Sequence, residues 1–396
     1  MNILFATPTP PLATKPRPHH FIRGLSRRQH QVHLLAQAPT PHAVEDPGSA
    51  PGWAEIAEAC ASVTWVVVPR WRSLAQCLAS VPTRTPLRVA YCRSRHLRVH
   101  AEELIPRLGI DLLHVDRGRL APVFAGLDVP KVLDATDSIA LYLRQLRRFG
   151  PPGERLLAAA ELLKIPRFEA GMADDYDACL VTSEADALAL RRTGTSILPD
   201  VLPNGVDDRL LEAERLPESD TVLFVGNMSY APNVDAAGWL VSEVLPRVRE
   251  VRPRVRVRFV GHRPAGAVRR LQKDPGVEVT GTVAEIRPHL ERAAVFVVPL
   301  RVGGGFSNKL MEALAAGVPT VATPAAREGL PDLDAGTHLL EADTPEAFAS
   351  SIVSILGDRD LAERLGRAGR AFVRDRYRWD GVIEDLETVY GRARRR

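Results

Sequence analysis

The chain has 396 residues, 45% of them hydrophobic and 25% charged, the proportions of a folded globular protein with room for two or three domains. No stretch approaches the roughly 18 uncharged apolar residues of a spanning helix, so neither a membrane bundle nor a disulfide miniprotein fits. The formal charge is only +4, from 52 basic and 48 acidic residues, and the basic excess is almost all arginine, a compositional bias rather than a nucleic-acid footprint.

From the N-terminus, short apolar runs alternate with helical patterns, the signature of parallel sheets covered on both faces by helices. Strands are predicted near 2–6, 31–36, 63–68, 112–115, 131–135 and 178–182, six in one sheet. A second series restarts at 221–226 and continues at 255–260, 277–281, 295–300, 320–323 and 338–341. Between them, Leu198–Asp207 contains two prolines and an Asn-Gly pair, which mark turns and place a linker. Residues 380–390 carry apolar groups at helical spacing and predict a terminal amphipathic helix. The expected fold class is α/β, with doubly wound domains over 1–203 and 204–378 facing a cleft, and a helix in 379–396 returning to the first. Such sheets bind ligands outside the carboxyl ends of their strands, so chemistry is sought just after strands.

The richest segment of this kind follows 295–300 and reads Arg301-Val302-Gly303-Gly304-Gly305-Phe306-Ser307-Asn308-Lys309-Leu310-Met311-Glu312. Consecutive glycines let backbone approach a ligand, and the helix that follows aims its amide groups and positive dipole end at it, which suits a phosphate. On a helical wheel Gly305, Asn308, Lys309 and Glu312 share one arc, while Leu310 faces the packed side. Lys309 is a compact cation for a diphosphate, and Glu312 a carboxylate for sugar hydroxyls. A salt-bridged, solvent-facing helix is the competing reading of the same residues. Lysine is otherwise found only at Lys15, Lys131, Lys164 and Lys273, so its placement here argues against chance.

This segment resembles the donor-binding signature of retaining GT-B glycosyltransferases of family four, in the subgroup of bacterial sugar transferases from exopolysaccharide systems. Further stretches resemble that family in the same order: Thr182-Ser183-Glu184, Pro203-Asn204-Gly205-Val206-Asp207, Gly226-Asn227-Met228-Ser229-Tyr230-Ala231-Pro232-Asn233, and Gly281-Thr282-Val283. The resemblance implies that the Gly281–Val283 backbone reads a nucleobase, Glu312 binds the ribose, and Gly304, Gly305 and Lys309 hold a diphosphate. Gly226, Asn227, Thr282, Val283, Arg301, Asn308 and Leu310 complete the implied donor site. Two departures stand out. Gly304 occupies the place of the family's first glutamate, and Asn227 and Asn233 replace an Arg and a Lys that commonly neutralise phosphate. Arg301 reads equally as a helper of Lys309 or as a solvated loop residue.

The first domain is expected to hold the acceptor. Its first strand leads into a Pro- and Thr-rich loop in which Lys15 and Arg17 could meet phosphate or be plain loop charges. The strand 131–135 ends in Thr136-Asp137-Ser138, where Thr136 and Asp137 occupy the family's sugar-lining place. Asp137 is the candidate to orient or deprotonate an acceptor hydroxyl; capping the next helix, Ile139–Arg148, by Asp137 or Ser138 is the alternative. His114 and Asp116 also follow a strand, but a lone strand-end histidine is more often structural. The segment Arg84–Arg107 carries six arginines among apolar residues and can lie on anionic lipid, although a helix pair with snorkelling arginines explains it as well.

The Asp-x-Asp stretches at 175–177, 332–334 and 358–360 do not follow strands, so no metal site is expected. The four cysteines have neither metal-ligand nor disulfide spacing, and Met1 opens directly into a strand-length apolar run, so a reducing, cytoplasmic setting is expected. The function so implied is transfer of a sugar from a nucleotide diphosphate donor to a saccharide, glycolipid or small-molecule acceptor. Retention of configuration, no metal or other cofactor, and peripheral contact with anionic membrane belong to the same expectation. A nucleotide-sugar epimerase and a non-catalytic nucleotide-sugar-binding module are the alternatives. A dinucleotide oxidoreductase is disfavoured because no first-strand G-x-G-x-x-G precedes a helix.

Overall fold

The computed structural model describes residues 1–38, 40, 52–302 and 305–396. The chain divides into two compact units: Met1–Arg144 with Leu156–Pro203 and Trp379–Arg396, and Gln145–Arg155 with Asn204–Arg378.

The first unit is built on seven parallel strands: β1 Asn2–Thr7, β2 Gln31–Ala38, β3 Ser62–Val67, β4 Leu112–Asp116, β5 Lys131–Thr136, β6 Ala178–Val181 and β7 Asp200–Val201. Their order is β3-β2-β1-β4-β5-β6-β7, so chain progression reverses between β1 and β4. Alternate residues of β1 serve opposite layers. Leu4 and Ala6 enter one apolar core with Leu113 and Leu133, whereas Ile3 and Phe5 enter another with Phe21, Val132 and Leu386. Burial on both faces explains why the strands read as continuous apolar runs. β7 was not expected. It falls in the stretch read from its prolines as linker, yet Asp200 and Val201 pair with Leu180 and Val181 as a short edge strand flanked by Pro199 and Pro203.

The C-terminal helix, Trp379–Ala393, belongs to this first unit. Its buried face, Val382, Ile383, Leu386, Val389 and Tyr390, is the apolar stripe seen in the sequence. It packs so closely on the helix Pro16–Arg27 that a Cβ on Gly24 would lie 2.6 Å from Ile383 Cγ1. The Tyr390 hydroxyl meets His114 Nδ1 at 2.8 Å, and Arg28 pairs with Glu384 and Glu387. The arginine-rich segment 84–107 forms two helices, Leu87–Cys92 and Arg95–Arg107, the second capped by Ser94. Among the described residues no helix is long and apolar enough to cross a membrane.

The second unit has six parallel strands: β8 Thr221–Val225, β9 Arg256–Val260, β10 Val277–Gly281, β11 Val295–Val298, β12 Thr320–Ala322 and β13 Leu340–Glu341. Their order, β10-β9-β8-β11-β12-β13, reverses between β8 and β11. β11 stops before Pro299, earlier than its apolar run predicts, because proline offers no N–H to the ladder. In both units the crevice for a ligand lies where strand order reverses, at the carboxyl ends of β1 and β4 and of β8 and β11.

Candidate active site

In the second unit the chain leaves β8 through Gly226 and Asn227 and leaves β11 toward the helix Asn308–Ala315. Asn233, buried early in the next helix, joins these exits. Its Nδ2 donates to Asn227 O at 2.8 Å, and its Oδ1 accepts from Lys309 Nζ at 2.5 Å. The Lys309 ammonium also lies 5.1 Å from the Phe224 ring centroid. Gly226 makes room: a Cβ there would stand 2.8 Å from Asn233 Nδ2 and 3.3 Å from Lys309 Nζ. Gly261 at the end of β9, with φ +151°, passes so close that a Cβ would sit 1.7 Å from Gly226 O. Two glycines therefore allow the β8 and β9 exits to approach each other beside the ammonium.

Lys309 and Glu312 are half-buried, one turn apart on the same helix. Burial lowers the Lys309 pKa to about 8 against the opposing pull of Glu312. Burial likewise raises Glu312 to about 7, opposed by Lys309 and reinforced by Asp207. Asn308 Oδ1 accepts from Asn204 Nδ2 at 3.0 Å, tying the helix start to the Pro203-Asn204-Gly205 turn. Ser307 supplies no side-chain cap to the helix. Leu310 is fully buried, so its side chain anchors the helix in the core. Gly305 lies before the helix, not on the arc assigned to it from the wheel, because the helix begins at Asn308. Gly304, with Gly303, lies outside the described residues.

Thr282 follows β10, where Gly281 has φ +74°, and its hydroxyl meets His262 Nδ1 at 3.1 Å. Val283 packs on the core cluster that contains Leu310 and Met311. Arg301 is engaged by Asp235, with Nε to Oδ2 at 2.8 Å and a second bond from Nη2, so its charge is committed away from Lys309. The structure thus groups Gly226, Asn227, Asn308, Lys309 and Glu312 around one switch point and places Arg301 in a separate ion pair. Asn233 was legible as a substitution in a motif, but its bonding to Lys309 was not.

In the first unit, Lys15 and Arg17 part company. Arg17 is 3% exposed; its Nε donates to Asp134 Oδ2 at 2.6 Å and its Nη1 to Leu202 O at 2.9 Å. The guanidinium is a core fixture, which corrects its expected place on a phosphate loop. Its helix starts at Pro16, and the nearly inaccessible Asp134 carboxylate takes the charge inward. Lys15 instead lines a cavity of about 430 Å³, and burial lowers its pKa to about 8, opposed by Asp116 and reinforced by Arg117 and Arg119.

Two residues at neighbouring strand ends hold left-handed backbone, Arg117 after β4 at φ 78° and Thr136 at the end of β5 at φ 69°. Such conformations are costly for these residue types and concentrate at functional sites. The β5–β6 register shifts between Asp134 and Thr136, which accompanies the turn into Asp137. Asp137 is exposed, lies 3.7 Å from Arg117 Nη1, and lines a cavity of about 160 Å³ with Arg88, Arg119 and Tyr142. Helix capping falls to Ser138, whose Oγ accepts from Leu141 N at 3.2 Å, leaving the Asp137 carboxylate outside the cap. His114 is fully buried, stacks on Phe5 at 4.4 Å between centroids, and is lowered by burial to about 4, as a structural histidine. Arg117 and Arg119 escaped notice in the sequence, although both directly follow the strand that ends at Asp116.

Each Asp-x-Asp stretch makes local contacts: Asp175 pairs with Lys131, Asp332 pairs with Arg376, and Asp358 caps the helix Arg359–Arg376. Among the described residues no group of three or more His, Cys, Asp or Glu side chains is arranged to hold a metal ion.

With this geometry in place, the second unit proves similar to a known family. Residues 219–358 match the family model of group 1 glycosyl transferases. The matched stretch contains β8–β13, Gly226, Asn233, Lys309 and Glu312. The chain is 33% identical over 208 residues to phosphatidyl-myo-inositol mannosyltransferase of Mycobacterium tuberculosis, covering 48% of this chain and 53% of that protein. It is 31% identical over 213 residues to the GDP-mannose-dependent alpha-(1-6)-phosphatidylinositol monomannoside mannosyltransferase of the same organism, covering 47% and 54%. The match thus spans about half the length of these curated relatives. The whole chain superposes on the Anabaena protein HepE, solved with UDP and glucose, at TM-score 0.67 with 15% identity and 99% of each chain covered. It superposes on sucrose-phosphate synthase of Thermosynechococcus elongatus at 0.69, with 16% identity and 98% of each chain covered. The fold is GT-B.

Proposed function

We propose that this protein is a glycosyltransferase that takes a nucleoside diphosphate sugar in its second unit and an acceptor in its first, with retention of anomeric configuration and without a metal ion. The observation that carries the proposal is the Lys309 ammonium fixed by Asn233 beside Gly226, at the reversal point of a sheet whose region matches group 1 glycosyl transferases. The mannosyltransferase relatives support the reaction class.

The donor lies with its base at Gly281–Val283, its ribose hydroxyls on Glu312 and its diphosphate at Lys309 and the start of the helix Asn308–Ala315. The bond between the anomeric carbon and the diphosphate oxygen breaks, and its electron pair leaves with the diphosphate. Lys309 and the helix amides stabilise the charge that develops there, the largest contribution a preorganised site makes. The acceptor hydroxyl oxygen forms the new bond to the anomeric carbon and its proton passes to the Asp137 carboxylate, with Thr136 lining the sugar. Gly304 offers no carboxylate to the transferred sugar, so selectivity for that sugar rests on other groups.

The test is incubation of the purified chain with a panel of UDP-, GDP- and dTDP-sugars and candidate acceptors, with product configuration read by NMR. Turnover of one donor with net retention in the presence of a chelator, abolished in Lys309→Ala, is the expected result. Failure of every donor to bind or turn over would overturn the proposal.

A further inference from the structure

The first unit carries a concentration of positive charge that neither the donor site nor acid–base chemistry explains. The cavity of about 430 Å³ at the ends of β1, β2 and β4 is lined by Lys15, Arg70, Arg117 and Arg119, and no carboxylate is among its described lining residues. Its size is that of a small-molecule site. Among the described residues Arg70 and Arg119 form no ion pair, and Lys15 Nζ donates a long hydrogen bond to Pro10 O, at 3.4 Å. Arg117 is balanced by Asp116 and Asp137 at 3.7 Å each, and Asp116 also attracts the Lys15 ammonium. Four cations from three separate segments, Arg117 and Arg119 sharing the turn after β4, therefore converge on one hollow with partial compensation from Asp116 and Asp137. Left empty, such a cluster costs mutual repulsion; an anion accepting their N–H groups relieves it.

The location adds direction. Arg117 and Arg119 also wall the smaller cavity that holds Asp137. A ligand whose anionic group fills the larger cavity extends past these two arginines and brings a hydroxyl to the carboxylate. Guanidinium forks match phosphate oxygens in pairs, and several converging forks suit a group with three or four such oxygens.

We propose that the cavity lined by Lys15, Arg70, Arg117 and Arg119 binds the phosphate of a phosphate-bearing acceptor, leaving that acceptor's hydroxyl at Asp137. This rests on the glycosyltransferase reading and names the class of acceptor it takes. Both a soluble sugar phosphate and a phospholipid headgroup supply this chemistry.

The experiment titrates full-length protein with glycerol phosphate and, as the uncharged control, glycerol. In parallel, sedimentation measures binding to phosphatidylcholine vesicles with and without phosphatidylinositol. Glycerol phosphate is expected to bind where glycerol does not, with affinity reduced about tenfold in both Arg119→Gln and Arg70→Gln. These two substitutions lie on different segments and break no ion pair seen in the fold, and each is to leave GDP and UDP binding unchanged. If the native chain also sediments with phosphatidylinositol vesicles and Arg119→Gln does not, the phosphate is lipid-borne; binding of glycerol phosphate alone assigns a soluble acceptor. Binding of glycerol phosphate no tighter than glycerol, or equal binding by native and both variants, overturns the inference. Loss of nucleotide binding by the native chain would instead refute the donor site while leaving the phosphate cavity standing.

Discussion

Asn233 Oδ1 accepts a hydrogen bond from Lys309 Nζ at 2.5 Å while its Nδ2 donates to Asn227 O at 2.8 Å, so one buried amide joins the exits of two strands across a switch point. A lysine is a flexible cation, and this bond holds it where a diphosphate would approach. Replacing Asn233 by leucine keeps the volume and removes both bonds. Calorimetry with GDP and UDP is expected to show affinity lower by about tenfold, the effect of one charge-assisted bond of about 1.5 kcal/mol. Aspartate at the same position retains the acceptor and should restore Lys309's placement. Unchanged affinity in Asn233→Leu would show that Lys309 needs no such support.

Nucleotide binding should have a pH maximum. Lys309 must be protonated to meet a diphosphate, and burial has lowered it to about 8, so affinity falls as pH rises through that value. Glu312 must be ionised to accept from ribose hydroxyls, and burial has raised it to about 7, so affinity also falls as pH drops through that value. Titration from pH about 6 to about 9 should therefore show a crest between the two. Glu312→Gln should flatten the acid limb and leave the alkaline one. A profile without either limb contradicts these assignments.

Two glycines should respond differently to alanine. At Gly226 the new methyl meets the Asn233 amide and the Lys309 ammonium, so nucleotide affinity falls while the sheet persists. At Gly261 it meets the carbonyl oxygen of Gly226 in a backbone conformation that disfavours any Cβ, so stability falls by about 3 kcal/mol or more. Thermal unfolding and calorimetry on the two variants separate the effects; equal stability of Gly261→Ala and the native chain would refute the close approach.

Arg17 is expected to be a stability residue. Arg17→Ala leaves the Asp134 carboxylate buried without its partner, at a cost of about 3–5 kcal/mol, whereas a ligand-loop arginine would cost almost nothing. Denaturant unfolding measures it. Near-native stability with weakened phosphate binding would return Arg17 to the role its sequence position first implied.

Asp137→Asn should retain nucleotide binding and lose sugar transfer, because an amide cannot take the acceptor proton. Single-turnover transfer alongside nucleotide titration tests this, and undiminished transfer would remove Asp137 from the chemistry.

Both sheets and their doubly wound character were legible because strands buried on both faces appear as unbroken apolar runs, as in Asn2–Thr7 and Val295–Val298. The edge strand Asp200–Val201 was not, since two residues between prolines carry a turn signal stronger than their strand signal. The local pattern also exposed Lys309 and Glu312, whose spacing on one helix is a property of sequence alone. It could not reveal that Asn233 bonds Lys309 or that Asp134 draws Arg17 inward, because those partners are 76 and 117 residues away. Arg117 and Arg119 were missed for a related reason: their importance lies in the left-handed turn and in convergence with Lys15 and Arg70, which only folding brings about.

The central claim is that Lys309 holds the diphosphate of a nucleotide donor. Calorimetric titration of the native chain and of Lys309→Ala with GDP, UDP and the corresponding nucleosides tests it most directly. The native chain should bind one diphosphate far more tightly than its nucleoside, and Lys309→Ala should erase most of that difference while retaining its thermal stability. Equal binding of diphosphate by the two proteins would contradict it.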